Sequence, residues 1–223
     1  MQRNFIFSSN EYYHIYNRGA DKRVIFNEDR DYLRFLVLLY ICNSDNKVQI
    51  RSGFKDKMQL YFEHDRGDQQ LVDICCYCLM PNHFHLLLKE RVEGGIPIFM
   101  KKLLTAYSMY FNKKYERTGK LFENCYKAEH ANTDNYLKYL FSYIHLNPVK
   151  LIDPAWKENG VKDFNDSYNF LQKYEYSSYQ DYLNVDRVQK VIINIKALPE
   201  YFVDKSAVEN DIFDWLDFRN DQI

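Results

Sequence analysis

Residues 78–88 read Cys-Leu-Met-Pro-Asn-His-Phe-His-Leu-Leu-Leu, and one residue separates the two histidines, His83 and His85. The Pro-Asn pair favours a turn, and the run that follows it favours a β-strand. Because side chains alternate along a strand, both imidazoles leave the same face, and the apolar residues of the other face pack against helices. Two imidazoles side by side on a rigid backbone form half of a metal site. The alternative is an ordinary strand with two hydrogen-bonded histidines.

The composition is that of a globular protein. The 223 residues are 46% hydrophobic and 17% aromatic, with a mean hydropathy of −0.54. No run approaches the ~20 apolar residues that a membrane-spanning helix requires, and the first residues lack the apolar core of a signal peptide. The five cysteines are an odd number and contain no pair of Cys-x-x-Cys motifs, which indicates free thiols in a reducing compartment. We therefore expect a cytoplasmic protein without membrane association.

Charge is unevenly distributed, although the formal net charge is only −1. Residues 101–127 carry a net charge of +5, whereas residues 196–223 carry −4. Aromatic residues interleave with the cations of the first segment, as in a nucleic-acid surface; an ordinary solvated helix face is the alternative. A second basic group flanks a glycine turn and could hold phosphate oxygens. The candidate phosphate contacts are Arg18, Lys22, Arg23, Lys101, Lys102, Lys113, Lys114 and Lys120.

Hydrophobic periodicity and turn residues predict an alternation of strands and helices. The polar segment Asn43–Gln70 is weakly patterned, and we interpret it as an insertion with a possible short strand at Gln59–Glu63. The other predicted elements are strands at Glu11–Gly19, Leu71–Leu79, His83–Glu90 and Lys120–His130 and helices at Asp31–Cys42, Pro97–Tyr115 and Asn135–Asn147.

The last of these helices carries a possible nucleophile. Tyr143 and Asn147 are four residues apart and therefore share one helix face. His83, His85 and Asn147 could hold a divalent cation, and Tyr143 could then attack a phosphodiester. Two other readings stay open. Most of the 20 tyrosines must be packing residues, and Asn147 could instead be a helix-terminal cap.

Three motifs together resemble those of the single-tyrosine HUH transposases, and within them the branch of REP-associated tyrosine transposases. They are Tyr-Tyr-His-Ile-Tyr-Asn-Arg-Gly at 12–19, Leu-Met-Pro-Asn-His-Phe-His-Leu-Leu at 79–87 and Tyr-Ile-His-Leu-Asn-Pro-Val-Lys at 143–150. The run Tyr-Ser-Ser-Tyr at 176–179, followed by Tyr182, also resembles that branch. The resemblance implies that His83, His85 and Asn147 are metal ligands and that Tyr143 is the nucleophile.

The resemblance also implies a fold and an activity. The fold would be α+β, a ferredoxin-like antiparallel sheet with helices on one face. The catalytic domain would span residues 10–150, with an insertion at about 43–70, and a mostly helical extension would follow at 151–223. The activity would be cleavage and rejoining of single-stranded or hairpin DNA through a 5′-phosphotyrosine, with Mg²⁺ or Mn²⁺ as cofactor, by a monomer or homodimer. The rival functions are a domesticated hairpin-binding protein that does not cleave DNA and a metal-dependent hydrolase.

Overall fold

A computed structural model describes residues 6–45, 69–202 and 204–217 of the chain. The possible strand at Gln59–Glu63 and most of the predicted insertion lie outside the described residues. Within those ranges the chain forms a four-stranded antiparallel sheet with helices packed against it. The α+β class predicted from the sequence is confirmed.

The strands follow the ferredoxin-like order. They are β1 (Tyr12–Arg18), β2 (Val72–Met80), β3 (His83–Glu90) and β4 (Lys127–His130), arranged in the sheet as β2-β3-β1-β4. Strands β2 and β3 form an antiparallel hairpin through the two-residue turn Pro81-Asn82. Strand β3 is consequently hydrogen-bonded on both sides, to β2 and to β1.

Two helices, α1 (Asp29–Ile41) and α2 (Gly95–Lys114), cover the first face of the sheet. Their apolar stripes meet the side of β3 that carries Phe84. Phe35 of α1 lies with its ring centroid 5.1 Å from that of Phe84 and 5.0 Å from that of Tyr107 of α2. Each such fully buried side chain stabilises the fold by about 1.5–3 kcal/mol, so this face holds the main aromatic core.

Helix α2 begins two residues before Pro97, the predicted start. Gly94 has a φ of 72°, the left-handed conformation that glycine adopts at little cost. A Cβ atom on Gly95 would collide with the carbonyl oxygen of Leu71. The two glycines therefore allow the helix to start directly against the end of β2.

The second face of the sheet is also covered by helices, which corrects the expectation of helices on one face. Helix α3 (Asp134–Leu146) packs on β2 and β3, and Leu87, Cys76 and Cys78 belong to the apolar cluster beneath it. The physical reason is that β2 is buried along its whole length, so both of its faces need an apolar partner. Within the described residues, no helix is long and apolar enough to cross a membrane.

The chain beyond α3 adds further helical segments, most of them on this second face, whereas the 3-10 turn at Val188–Ile192 packs against α1. A 3-10 turn at Asn147–Leu151 follows α3 directly. The α-helices are α4 (Trp156–Asn159), α5 (Phe164–Lys173), α6 (Tyr179–Tyr182) and α7 (Lys205–Asp217), and further 3-10 turns lie at Val188–Ile192, Ile195–Ala197 and Glu200–Phe202.

The Tyr-Ser-Ser-Tyr run at 176–179 attaches this extension to the sheet. Leu79 donates its backbone N–H to the carbonyl of Tyr176, and Ser178 donates its own to the carbonyl of Tyr77. The Ser178 hydroxyl accepts a hydrogen bond from the Tyr77 N–H at 2.9 Å and lies 2.9 Å from Nε2 of His145. His145 is therefore a buried structural residue that points away from Tyr143.

Strand β4 is shorter than the predicted strand over Lys120–His130. Only Lys127–His130 pair with β1, and upstream of them Phe122 makes a single isolated bridge to Gly19. Residues 120–126 do not continue the pairing with β1, and they form a loop at that end of the sheet.

Candidate active site

The two histidines of β3 lie side by side on the face covered by α3. His83 and His85 leave the same side of the strand, as predicted, with ring centroids 5.0 Å apart. His85 is buried, and His83 is half-buried. The pairing of β3 on both sides fixes the backbone that carries them.

In each histidine the Nδ1 atom is engaged. Nδ1 of His83 lies 2.6 Å from Oδ1 of Asn82, and Nδ1 of His85 lies 2.8 Å from Nε2 of His14. Neither Nε2 atom has a hydrogen-bond partner among the residues that the structure describes. The Nε2 atoms are therefore the ones available to a ligand.

Tyr143 reaches this pair from α3. The centroid of its ring lies 5.5 Å from that of His85, in edge-to-face geometry, and Nζ of Lys157 lies 3.8 Å from the ring centroid. Asn147 lies one turn further along, and its amide nitrogen donates to the Tyr143 carbonyl at 2.7 Å. Tyr143 therefore lies beside the histidines, as the sequence predicted. The role of Asn147 as a metal ligand stays a prediction.

A cavity of about 340 Å³ opens in front of these side chains. The phenol and both imidazoles line it, but Asn147 does not. Arg18 contacts Glu123 at the rim through a 2.8 Å ion pair. The complete lining is Tyr16, Asn17, Arg18, Asn82, His83, His85, Glu123, Asn124, Cys125, Lys127, Tyr143 and Lys150.

Burial and nearby cations keep the two imidazoles neutral. Burial, reinforced by the positive charges of Lys150 and Arg18, lowers the pKa of His83 to about 4. Burial also lowers the pKa of His85 well below its ordinary value, and the neighbouring His14 adds to this effect. Both rings therefore present lone pairs at neutral pH.

The phenol of Tyr143 is protonated at neutral pH. Burial raises its pKa above the ordinary value, and the neighbouring Tyr139 and Glu129 act in the same direction. A neutral phenol is a weak nucleophile, so a group that withdraws charge from the phosphate or accepts the phenol proton must lower the barrier.

The donor set fits a divalent cation bound through nitrogen and completed by oxygen ligands. The described residues hold no group of three His, Cys, Asp or Glu side chains positioned for a metal ion. His83 and His85 supply two neutral nitrogens, and the third ligand would be the Asn147 amide oxygen or an oxygen of the substrate. Two imidazoles suit Mn²⁺ better than Mg²⁺, which prefers oxygen and retains water.

The predicted phosphate contacts fall on two surfaces. Arg18 lies at the rim of the cavity, whereas Lys22 and Arg23 lie on the adjoining turn, where Arg23 pairs with Asp21. Lys101, Lys102, Lys113 and Lys114 line a groove of about 1250 Å³ between α1 and α2, on the opposite face of the sheet from the histidines. Exposed Lys120 lies outside both cavities.

Lys114 differs from the other lysines of this groove. It bonds to the buried carboxylate of Asp31 and lies 2.6 Å from Glu28. These hydrogen bonds raise its pKa against the opposing effect of burial. Lys114 therefore neutralises a buried acid, and its charge is largely compensated before any phosphate approaches.

Sequence reasoning missed His14, Glu129, Lys150 and Lys157. Lys150 and Lys157 follow α3 closely and place positive charge near His83. His14 lies within the motif at residues 12–19. Its position beside His85, 71 residues later in the chain, depends on the pairing of their two strands. The alternation of β1 puts His14 and Tyr16 on one face, and this is the signal that could have identified it.

Comparisons with known proteins identify a family for this chain. Residues 36–147, half of the chain, match the family model described as "Transposase IS200 like". A search of curated proteins found no match. The solved structure of a REP-associated tyrosine transposase bound to a REP hairpin is similar at 12% identity and a TM-score of 0.46, with 85% of this chain and 89% of that chain covered.

Proposed function

From the premise that this chain belongs to the family of IS200-like transposases, we propose that it cleaves and rejoins single-stranded DNA, including strands that carry hairpins, through a phosphotyrosine. The observation that carries the proposal is the Tyr143 phenol beside the neutral imidazoles of His83 and His85 in one cavity. A phosphodiester in that cavity would meet a nucleophile and two metal-binding nitrogens together.

The covalent step is a transesterification. The Tyr143 oxygen attacks phosphorus, the bond from phosphorus to the 3′-oxygen breaks, and the phenol proton passes to solvent as the leaving oxygen takes one up. The products are a 5′-phosphotyrosine and a free 3′-hydroxyl. Rejoining reverses the step, since a second 3′-hydroxyl attacks the linkage and releases the phenol. One phosphoester replaces another, so no nucleotide cofactor is needed.

The protein side chains would position the reacting groups. His83 and His85, with Asn147, would hold Mg²⁺ or Mn²⁺, which when bound polarises the phosphate and offsets charge on its oxygens. Lys150 and Arg18 would attract the phosphate to the cavity. Lys157 packs over the Tyr143 ring and would hold the phenol in place.

Capture of a covalent adduct tests this function. Wild-type protein incubated with end-labelled single-stranded hairpin oligonucleotides and Mn²⁺ should give a labelled species that survives denaturing electrophoresis. The label should remain with the protein only when it lies on the 3′ side of the cut. A protein that binds these oligonucleotides tightly, yet never forms an adduct, would be the rival hairpin-binding protein.

The exposed lysines of α2 and the loop after it should contribute to DNA affinity. Replacing Lys101, Lys113 and Lys120 with Gln should weaken binding, because each lysine that neutralises a phosphate releases a counterion from the strand. The magnitude of the slope of log K, where K is the association constant for DNA, against the logarithm of the salt concentration should decrease by about 0.7 for each phosphate that is no longer neutralised. Fluorescence anisotropy over a salt series measures both quantities.

A matched control removes the same charge from another surface. Lys190, Lys196 and Lys205 are exposed and lie in the C-terminal extension. Their triple replacement with Gln should leave the salt slope unchanged. If the two triple variants have the same salt slope, the DNA does not bind at Lys101, Lys113 and Lys120.

A further inference from the structure

His14 makes a buried contact with one of the proposed metal-binding histidines. Its Nε2 atom lies 2.8 Å from Nδ1 of His85, and the two rings are stacked with centroids 5.1 Å apart and an interplanar angle of 17°. Both side chains are nearly inaccessible, with 4% and 5% of their surfaces exposed. A hydrogen bond between these two imidazoles requires one proton on one of the two facing nitrogens, and the structure must select which.

A carboxylate lies on the other side of His14. The register of β1 and β4 places Glu129 directly opposite His14, and Oε2 of Glu129 lies 3.7 Å from Nδ1 of His14. This Nδ1 atom is buried and has no hydrogen-bond partner among the described residues. The Glu129 carboxylate is thus the acidic group nearest to Nδ1 of His14.

Glu129 is fixed in place and charged. The hydroxyls of Tyr16 and Tyr136 donate to its two oxygens at 2.8 and 2.9 Å. The nearby His14 ring is the largest cause that lowers the pKa of Glu129 to about 2, and the hydrogen bonds from the two tyrosines lower it further against the effect of burial. At neutral pH Glu129 therefore only accepts hydrogen bonds.

The negative charge of Glu129 favours one of two arrangements of the protons on His14 and His85. In the first arrangement His14 carries its proton on Nδ1, facing Glu129, and His85 donates from Nδ1 to His14. In the second arrangement His14 donates from Nε2, its Nδ1 lone pair faces the carboxylate, and the His85 proton sits on Nε2. The second arrangement places a lone pair against an anion in a buried site and is disfavoured.

We infer that Glu129 and His14 are positioning residues that hold His85 in the tautomer with a free Nε2 lone pair. The relay runs across three strands, from β4 through β1 to β3. Outer partners of this kind orient a metal-binding imidazole and increase its basicity. The inference rests on the proposed function for the role of the freed nitrogen, whereas the proton assignment itself concerns the protein alone.

The tautomer can be read directly in the metal-free protein. Long-range ¹H–¹⁵N NMR of histidine-labelled protein should show the His85 proton on Nδ1 in the wild type. Glu129→Gln removes the charge and should shift that proton toward Nε2. Titration calorimetry with Mn²⁺ should then show an affinity about 10- to 100-fold weaker than that of the wild type.

Two substitutions of His14 separate positioning from packing. His14→Phe fills the space but cannot accept the hydrogen bond, and it should lower the Mn²⁺ affinity as Glu129→Gln does. His14→Gln offers a side-chain oxygen at the position of Nε2 and should restore the affinity to within about threefold of the wild type. His130→Gln, on the same strand as Glu129, is the control that should change neither readout.

A wild-type His85 with its proton on Nε2 would overturn the inference. So would an unchanged tautomer and affinity in both Glu129→Gln and His14→Phe. Absence of Mn²⁺ binding by the wild type would count against the proposed metal site instead, because the NMR assignment does not require metal.

Discussion

Tyr143→Phe should abolish formation of the covalent protein–DNA adduct, with a loss of at least about a thousandfold in the rate of strand cleavage. The substitution removes only the hydroxyl. The ring keeps its contacts with His85 and Lys157, so the fold and the affinity for single-stranded DNA should be retained. Single-turnover cleavage of labelled oligonucleotides and anisotropy titrations measure the two effects separately.

The matched control is one helical turn earlier. Tyr139 is 38% exposed, and its ring centroid lies 5.7 Å from that of Tyr143. Tyr139→Phe should therefore form the adduct at nearly the wild-type rate. An adduct that persists in Tyr143→Phe and disappears in Tyr139→Phe would show that Tyr139, and not Tyr143, is the nucleophile.

His83→Ala should reduce cleavage by more than about a hundredfold, because loss of a direct ligand exceeds the 10- to 100-fold cost of losing an outer partner. His85→Ala should do the same, but it also leaves a buried space beside His14. His83 is half-buried and gives the cleaner comparison. DNA affinity should change little in either variant, since phosphate contacts supply most of it.

Cleavage assays over a range of Mg²⁺ and Mn²⁺ concentrations, with parallel binding titrations, measure these effects. His130→Ala is the control, because His130 bonds to Glu11 at 2.9 Å and does not line the cavity. A His83→Ala protein that cleaves at the wild-type rate in Mg²⁺ would remove His83 from the metal site.

The parts of the fold that sequence could predict are those set by local patterns. The alternation of His83, Phe84 and His85 fixes which face each side chain takes once the segment is a strand. The four-residue spacing of Tyr143 and Asn147 likewise fixes their common face on α3. These rules need no knowledge of distant segments, so they hold in the structure.

The contacts that the sequence could not predict depend on the register between strands. Glu129 faces His14 because β4 pairs with β1 at one register, and a shift of one residue would place the two side chains on opposite faces. The sequence also did not predict which elements cover each face of β2, for a related reason. Strand β2 is apolar along almost its whole length, and such a run does not tell which elements will cover each face.

The pairing of residues 176–178 with β2 has a consequence for solubility. Strand β2 is an edge strand of the sheet, and a bare edge offers unpaired N–H and C=O groups to any other strand that approaches. Tyr176 and Ser178 occupy those groups at Leu79 and Tyr77, and Asn194 donates to the carbonyl of Ile74. The extension thus prevents another molecule from adding a strand to the apolar strand β2, and it reduces the tendency of the protein to aggregate.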